Sequence, residues 1–244
     1  MIKAMPAANH TVLSRYQAGF SLVELSIVLV IIALLTGGIL AGRDLIRSAE
    51  LRAIPSEFSR YQSAAIEFRD SYYGLPGDLG DAAAIWPQAG AVNGNANGDI
   101  ERSLESLRAW QHLALSGLIK GSFTGDDAAN GGGYDHVPSV NAPQSASDSR
   151  AAWSVHFLGS FDGDAVYFDG RYRHVFQLGG ADGNNTPEGG ILTPEEAWSL
   201  DSKFDDGLPG RGEIVTDHAS GCSEDADADD TGAEYNLDND QEVC

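Results

Sequence analysis

Glu24 is the one charged residue in the apolar run FSLVELSIVLVIIALLTGGIL, residues 20–40. In hydrocarbon a carboxylate costs about 2.5–3.5 kcal/mol on insertion scales, so this acid demands a partner of opposite charge. Cys222 and Cys244, both near the end of the sequence, offer thiol chemistry. In an oxidising compartment the pair reads as a disulfide closing the C-terminal loop, contributing on the order of 3 kcal/mol for a loop of this size. Two free thiols, or a metal site completed by His218, are the alternatives. Signatures of catalysis are missing: the sequence has no H-E-x-x-H, G-x-S-x-G, Walker A loop or paired C-x-x-C. His112 falls on a helical pattern and His156 and His174 on strand patterns, where structural roles are expected. A triad assembled by tertiary structure stays open.

A third chemistry is coordination of a hard cation. Asn93, Asn95, Asn97, Asp99 and Glu101 set oxygen-bearing side chains at alternate positions, with Gly98 sixth and Ile100 eighth. The pattern is similar to the first nine positions of an EF-hand-like Ca2+ loop. Two departures weaken the match. Neutral amides replace the usual Asp-rich start, and Leu104 stands where the bidentate Glu belongs, with Glu105 one position late. An Asn/Gly turn capping the next helix is the alternative.

The elements that must position these residues follow from periodicity. The apolar run continues into a pattern with Leu45, Ala49, Arg52, Phe58, Tyr61, Ala65, Phe68 and Tyr72 at three- and four-residue spacing. One helix from near Phe20 to about Tyr73 is expected, with Gly37-Gly38 and Pro55 as its weak points. Gly74-Leu75-Pro76-Gly77-Asp78 ends it, and a loop follows. Residues 101–120 place Leu104, Leu107, Trp110, Ala114 and Leu118 on one face, a second helix stopped by Gly121.

Strands follow a long Gly/Asn/Ser-rich loop over residues 125–150. Trp153, Val155 and Phe157 alternate with Ser154 and His156. Asp169-Gly170 stands between Val166-Tyr167-Phe168 and the run Tyr172–Leu178, a hairpin signal, so at least three antiparallel strands are expected. Thr193-Pro194-Glu195-Glu196 reads as a capping box with Pro at the first helical position, opening a short helix that ends at Asp205-Asp206-Gly207. Glu213-Ile214-Val215 is a candidate edge strand.

The N-terminal residues carry a resemblance. Gly19, Phe20, Ser21, Leu22, Val23 and Glu24, followed by the aliphatic run, resemble the type IV prepilin family, which includes the type II secretion pseudopilins. A secretory signal would place its small-residue cleavage site after the apolar run, whereas here the Gly-Phe junction precedes it. The resemblance implies cleavage after Gly19 by a prepilin peptidase, N-methylation of Phe20, and assembly with other pilin or pseudopilin subunits through an inner-membrane platform. It further implies that Glu24 pairs with the methylated amine of a neighbouring subunit. That pairing is physically reasonable, because each charge relieves the other in hydrocarbon.

The implied organisation is a leader, 1–19; a transmembrane, filament-core half of the helix, 20–42; its amphipathic half, 43–74; and a globular extracytoplasmic domain, 75–244. The fold class expected is α+β and pilin-like: the long helix packed on a small antiparallel sheet, with extra helices and a disulfide-closed C-terminal loop. The resemblance also makes Asp205, Asp206, Asp225 and Asp227 alternative Ca2+ ligands, since pseudopilins sometimes bind Ca2+ in their C-terminal loops.

Charge bounds the partners. With 15 Lys+Arg against 36 Asp+Glu the formal net charge is −21. Phosphate contacts need clustered basic residues, so no nucleic-acid partner is expected. Basic residues do not orient the helix, since Lys3 and Arg15 precede the run while Arg43, Arg47 and Arg52 follow it. A cytoplasmic leader and periplasmic domain come from the resemblance alone. The function implied is a structural subunit, not an enzyme, of a type IV pilus or type II secretion pseudopilus. Retention of Glu24 argues against the tip-most pseudopilin type, which lacks this acid. A membrane-tethered periplasmic binding or enzymatic domain is the alternative.

Overall fold

The computed structural model describes residues 20–126, 135–181, 186–217, 221–224 and 227–244. The chain forms two compact units, Met1–Ile46 and Arg47–Cys244. The leader and Gly19 lie outside the described residues.

The described part of the first unit is helical. Helix α1 spans Leu22–Tyr72, and neither Gly37-Gly38 nor Pro55 interrupts it. The helix is long and apolar enough to cross a membrane. Its first-unit side chains, among them Leu22, Ile27, Leu34 and Ile39, are exposed. Burying such a side chain is worth about 1.5–3 kcal/mol, so this surface is suited to lipid or protein and not to water. The hydroxyls here bond to their own helix: Ser26 Oγ donates to the Val23 carbonyl at 2.8 Å and Thr36 Oγ1 to that of Ile32 at 2.9 Å. Satisfying polar groups within one segment is what a hydrocarbon surrounding requires.

In the second unit α1 buries Glu57, Tyr61, Ala64 and Phe68, a stripe at four- and three-residue spacing. This stripe meets helix α3 (Leu104–Leu115) and the hairpin of strands β1 (Ala151–Phe161) and β2 (Gly170–Gly180). Tyr61 is central, with ring centroids 5.0 Å from Trp110 and 5.8 Å from Trp153. The expected end of α1 is found, but the left-handed residue is Tyr73 (φ 56°) instead of Gly74. A one-turn helix α2 (Ala82–Ile85), not anticipated from the sequence, interrupts the loop that follows.

Several expectations are corrected. Helix α3 is shorter than residues 101–120, because Gly117 (φ 78°) supplies the left-handed stop four residues before Gly121. The described sheet has two strands, with Trp153 opposite Leu178 and Val155 opposite Phe176. Asp169-Gly170 is not a two-residue hairpin turn; residues 162–169 connect the strands. Asp164 Oδ1 accepts from the backbone N–H groups of Val166 and Tyr167, diverting donors that a strand would use. Tyr167 keeps only an isolated bridge to Asp217. Likewise 213–215 form no strand, because Asp205 Oδ2 captures the N–H groups of Glu213 and Ile214.

Helix α4 (Pro194–Phe204) opens with the expected capping box: Thr193 accepts from the Glu196 N–H, and Glu196 accepts from the Thr193 N–H. Cys222 and Cys244 form the expected disulfide, with Cα atoms 5.2 Å apart. It joins a small core of Ala197, Cys222 and Tyr235 lined by Leu192, Val243 and Cys244. Backbone bonds between Leu192 and both Val243 and Cys244 fasten the C-terminal segment beside the start of α4. The molecule is thus α+β with a long N-terminal helix, a small antiparallel sheet and a disulfide-closed C-terminal region.

Candidate functional site

Glu24 sits in the first turn of α1 and is exposed. Among the described residues it has no hydrogen-bond or ion-pair partner within the chain. Phe20, exposed, precedes the helix. Phe20 stands two residues before α1 and Glu24 in its first turn, so the Phe20 nitrogen and the Glu24 carboxylate belong to the same end of the helix. A neighbouring molecule bearing an amine at that level would find the acid accessible.

In the second unit the structure brings some of the candidate Ca2+ ligands together. Asn95 Nδ2 and Asn97 Nδ2 both donate to Glu101 Oε1, at 3.0 and 3.3 Å. Asn93 points elsewhere, its Oδ1 accepting from the Ala83 N–H on α2. The amide oxygens of Asn95 and Asn97 accept from the N–H groups of Asn97 and Asp99. A cation shared by Asn95, Asn97 and Glu101 therefore requires both amides to turn and give up those backbone bonds. Two carboxylates not foreseen as part of this turn shape it from outside. Asp78 accepts from the N–H groups of Asn97 and Gly98, and Glu105 from those of Asn95 and Glu101. Burial pushes the Glu105 carboxyl up, against the lowering effect of the two backbone donors.

The alternative ligands separate into two places. Asp205 and Asp206 join the buried Asp201, with ligand oxygens within 4.8 Å of one another. Each is already engaged: Asp201 accepts from the Tyr235 hydroxyl at 2.8 Å and from the Gly207 N–H, Asp206 pairs with Arg211, and Asp205 accepts from backbone. Asp227 instead lines an acidic cleft of about 400 Å3 with Asp162, Asp164, Asp169 and Asp229. Asp225 lies outside the described residues, as does His218.

Two charged ties matter more to the architecture than any of these acids. Arg47 pairs with Glu196 through Nε–Oε1 at 2.5 Å and Nη2–Oε2 at 2.8 Å, and also donates to the carbonyls of Ser147 and Ile191. Glu196 thus both caps α4 and anchors the second-unit part of α1. Glu57, on the same helix, accepts from Ser145 Oγ, the Ala146 N–H and Trp153 Nε1, all at 2.8–2.9 Å. The sequence flagged Glu196 only as a cap and did not flag Glu57. Its signal was available: an acid on the stripe that continues through Tyr61 and Phe68.

Burial shifts three histidines toward the neutral form. Burial pushes His112 down to about 4 and His156 down to about 3, and it lowers His174 as well. His112 and His174 use ring nitrogens as acceptors, for the N–H groups of Gly77 and Ile100. Both rings therefore do structural work, as expected for histidines on these elements.

Residues 14–40 match the family model described as the prokaryotic N-terminal methylation motif. This motif is the hallmark of type IV prepilin-like proteins, and the chain carries their N-terminal signature. Comparison with curated proteins and with solved structures gave no match.

Proposed function

We propose that this chain is a structural subunit of a type IV pilus or a type II secretion pseudopilus. In this reading a prepilin peptidase cuts between Gly19 and Phe20, and the new Phe20 amine is methylated. Residues 20–42 then reside in the inner membrane, with residues 75–244 on its periplasmic side, until the subunit enters a fibre. Glu24 meets the Phe20 amine of a neighbouring subunit, which removes two unpaired charges from hydrocarbon at once. The observation that carries this reading is the methylation motif at residues 14–40, together with the exposed apolar surface of α1 from Leu22 on.

Substitution at Glu24 tests the reading. Glu24→Val removes an expensive charge and should leave membrane insertion intact while abolishing incorporation into fibres. A variant that assembles like the wild type would contradict it. A domain that keeps its activity on an unrelated membrane anchor would instead support the tethered binding or enzymatic domain.

The Ca2+ proposal for the 93–101 turn rests on Asn95, Asn97 and Glu101 standing together. Thermal melting with chelator and with millimolar Ca2+ decides it, since a ligand that binds the folded state raises the midpoint. No shift at millimolar Ca2+ would retire the acidic-loop sites together with it.

A further inference from the structure

Between α1 and α3 the chain makes a long excursion, residues 74–103, and one side chain holds two of its parts. His112, on α3, is fully buried. Its Nδ1 accepts from the Gly77 N–H at 3.0 Å, and its Nε2 lies 3.0 Å from the Val92 carbonyl. The partners fix the tautomer: a backbone N–H can only donate and a carbonyl can only accept, so the proton belongs on Nε2. Phe68 of α1 stacks on the ring at 6.2 Å and 15°, and Trp86, just after α2, covers it at 5.9 Å. The Gly77 turn comes so close to α3 that a Cβ there would lie 2.2 Å from the Glu105 carbonyl oxygen.

We propose that His112 is a pH-operated fastening for residues 75–98: neutral, it ties this segment to α3, and protonated, it lets the segment open while the β1–β2 hairpin stays folded. A second proton has only one place to go, Nδ1, where it would face the Gly77 N–H donor inside a buried aromatic seat. The Gly77 N–H then loses its acceptor and meets a like donor, so the protonated ring favours the open segment.

The groups around the ring support this direction. Arg108, one turn earlier on α3, opposes a positive imidazole, as burial does more strongly; the Val92 carbonyl acts the other way. The rings that α1 and the turn after α2 pack on the imidazole, Phe68 and Trp86, are uncharged. The nearby carboxylates of Asp78 and Glu105 are occupied by the backbone N–H groups of residues 95, 97, 98 and 101. With the ring held near 4 when closed and near 6.5 when open, linkage makes opening about twentyfold more frequent at pH 5 than at pH 7, and roughly a hundredfold more at pH 4.

Amide exchange read by mass spectrometry on the full-length protein in detergent, corrected for the intrinsic pH dependence, tests the fastening. Protection of 75–98 should fall by those factors between pH 7 and pH 4 and stay below that of 151–180 throughout, the hairpin's own acid response coming from its buried His156 and His174. His112→Asn, whose Oδ1 can accept from Gly77 but cannot titrate, should remove the pH dependence. Equal protection of the two regions at every pH, or an unchanged pH response of 75–98 in the variant, would overturn the proposal. If that variant does not fold, 15N shifts of the wild-type imidazole decide: a ring already protonated at Nδ1 at pH 7, or one that titrates without loss of protection at 75–98, refutes it.

Discussion

Replacing Glu57 by alanine should be among the most damaging single changes in the second unit. Its side chain is buried and serves three donors from one segment of chain: Ser145 Oγ, the Ala146 N–H and Trp153 Nε1. Ser145 in turn accepts from the Ser147 N–H, so the carboxylate organises the whole approach to β1. An orphaned buried donor costs about 1–3 kcal/mol, so three of them cost about 3–9 kcal/mol, and partial rescue by entering water brings the expected loss to about 3–5 kcal/mol. Glu57→Gln keeps the shape and one acceptor oxygen but turns an amide N–H2 toward Ser145 and Trp153. Since the serine hydroxyl can rotate to accept, about 1–3 kcal/mol is expected there. Urea unfolding followed by tryptophan fluorescence measures both variants. Pairing Glu57→Ala with Trp153→Phe in a double-mutant cycle isolates the indole contact, for which a coupling of about 0.5–3 kcal/mol is expected. A Glu57→Ala protein within about 1 kcal/mol of the wild type would contradict this role for Glu57, as would a coupling indistinguishable from zero.

Three further outcomes are expected. Gly94→Ala should destabilise the second unit by about 2 kcal/mol or more, because the new Cβ would lie 2.3 Å from the Asp78 backbone, whereas Gly37→Ala meets nothing within 4 Å and should leave the unit's unfolding midpoint unchanged. Reducing the Cys222–Cys244 disulfide should lower stability by about 3 kcal/mol and loosen the start of α4 first, measurable as lost amide protection at residues 191–197. Acid should weaken the unit through its buried histidines. Their folded values lie below the ordinary 6.5, so the stability they confer is complete above that pH and declines as pH falls toward about 4 for His112, a loss of about 3 kcal/mol from that residue alone. His156, lower still and with Nε2 unpartnered, extends the decline toward about 3. Glu105 and Asp201, raised chiefly by burial, act in the opposite direction and temper it. Denaturant midpoints measured from pH 7 to pH 4 read the sign directly.

How far the sequence reaches is clear from particular residues. Helix α1 and the box at Thr193–Glu196 are local devices, written in spacing over a turn or in four consecutive side chains, and both stand where periodicity and capping chemistry put them. The disulfide is nearly as legible because two cysteines allow one pairing. Long-range partners are not local. Glu196 announces its cap, yet Arg47, 149 positions away, is invisible until the chain is folded. Glu57 looks like one more helix-surface acid because its three donors lie 88 to 96 residues onward. The missing third strand has a related cause. Val166-Tyr167-Phe168 has strand composition, but a carboxylate two residues upstream takes its N–H groups, and side-chain competition of this kind overrides propensity. In the Asn93–Glu101 turn the motif is readable, while the orientation of each amide depends on Asp78, Glu105 and α2, which the motif does not contain.

In the first unit Glu24 waits for a charge that the described residues of its own chain do not supply. Intact-mass measurement on the protein purified from membranes of cells with an active prepilin peptidase tests it most directly. A processed subunit begins at Phe20, lacks residues 1–19 and carries one added methyl group on its amino terminus, and that is the mass expected. A chain that still begins at Met1 in those cells would contradict it.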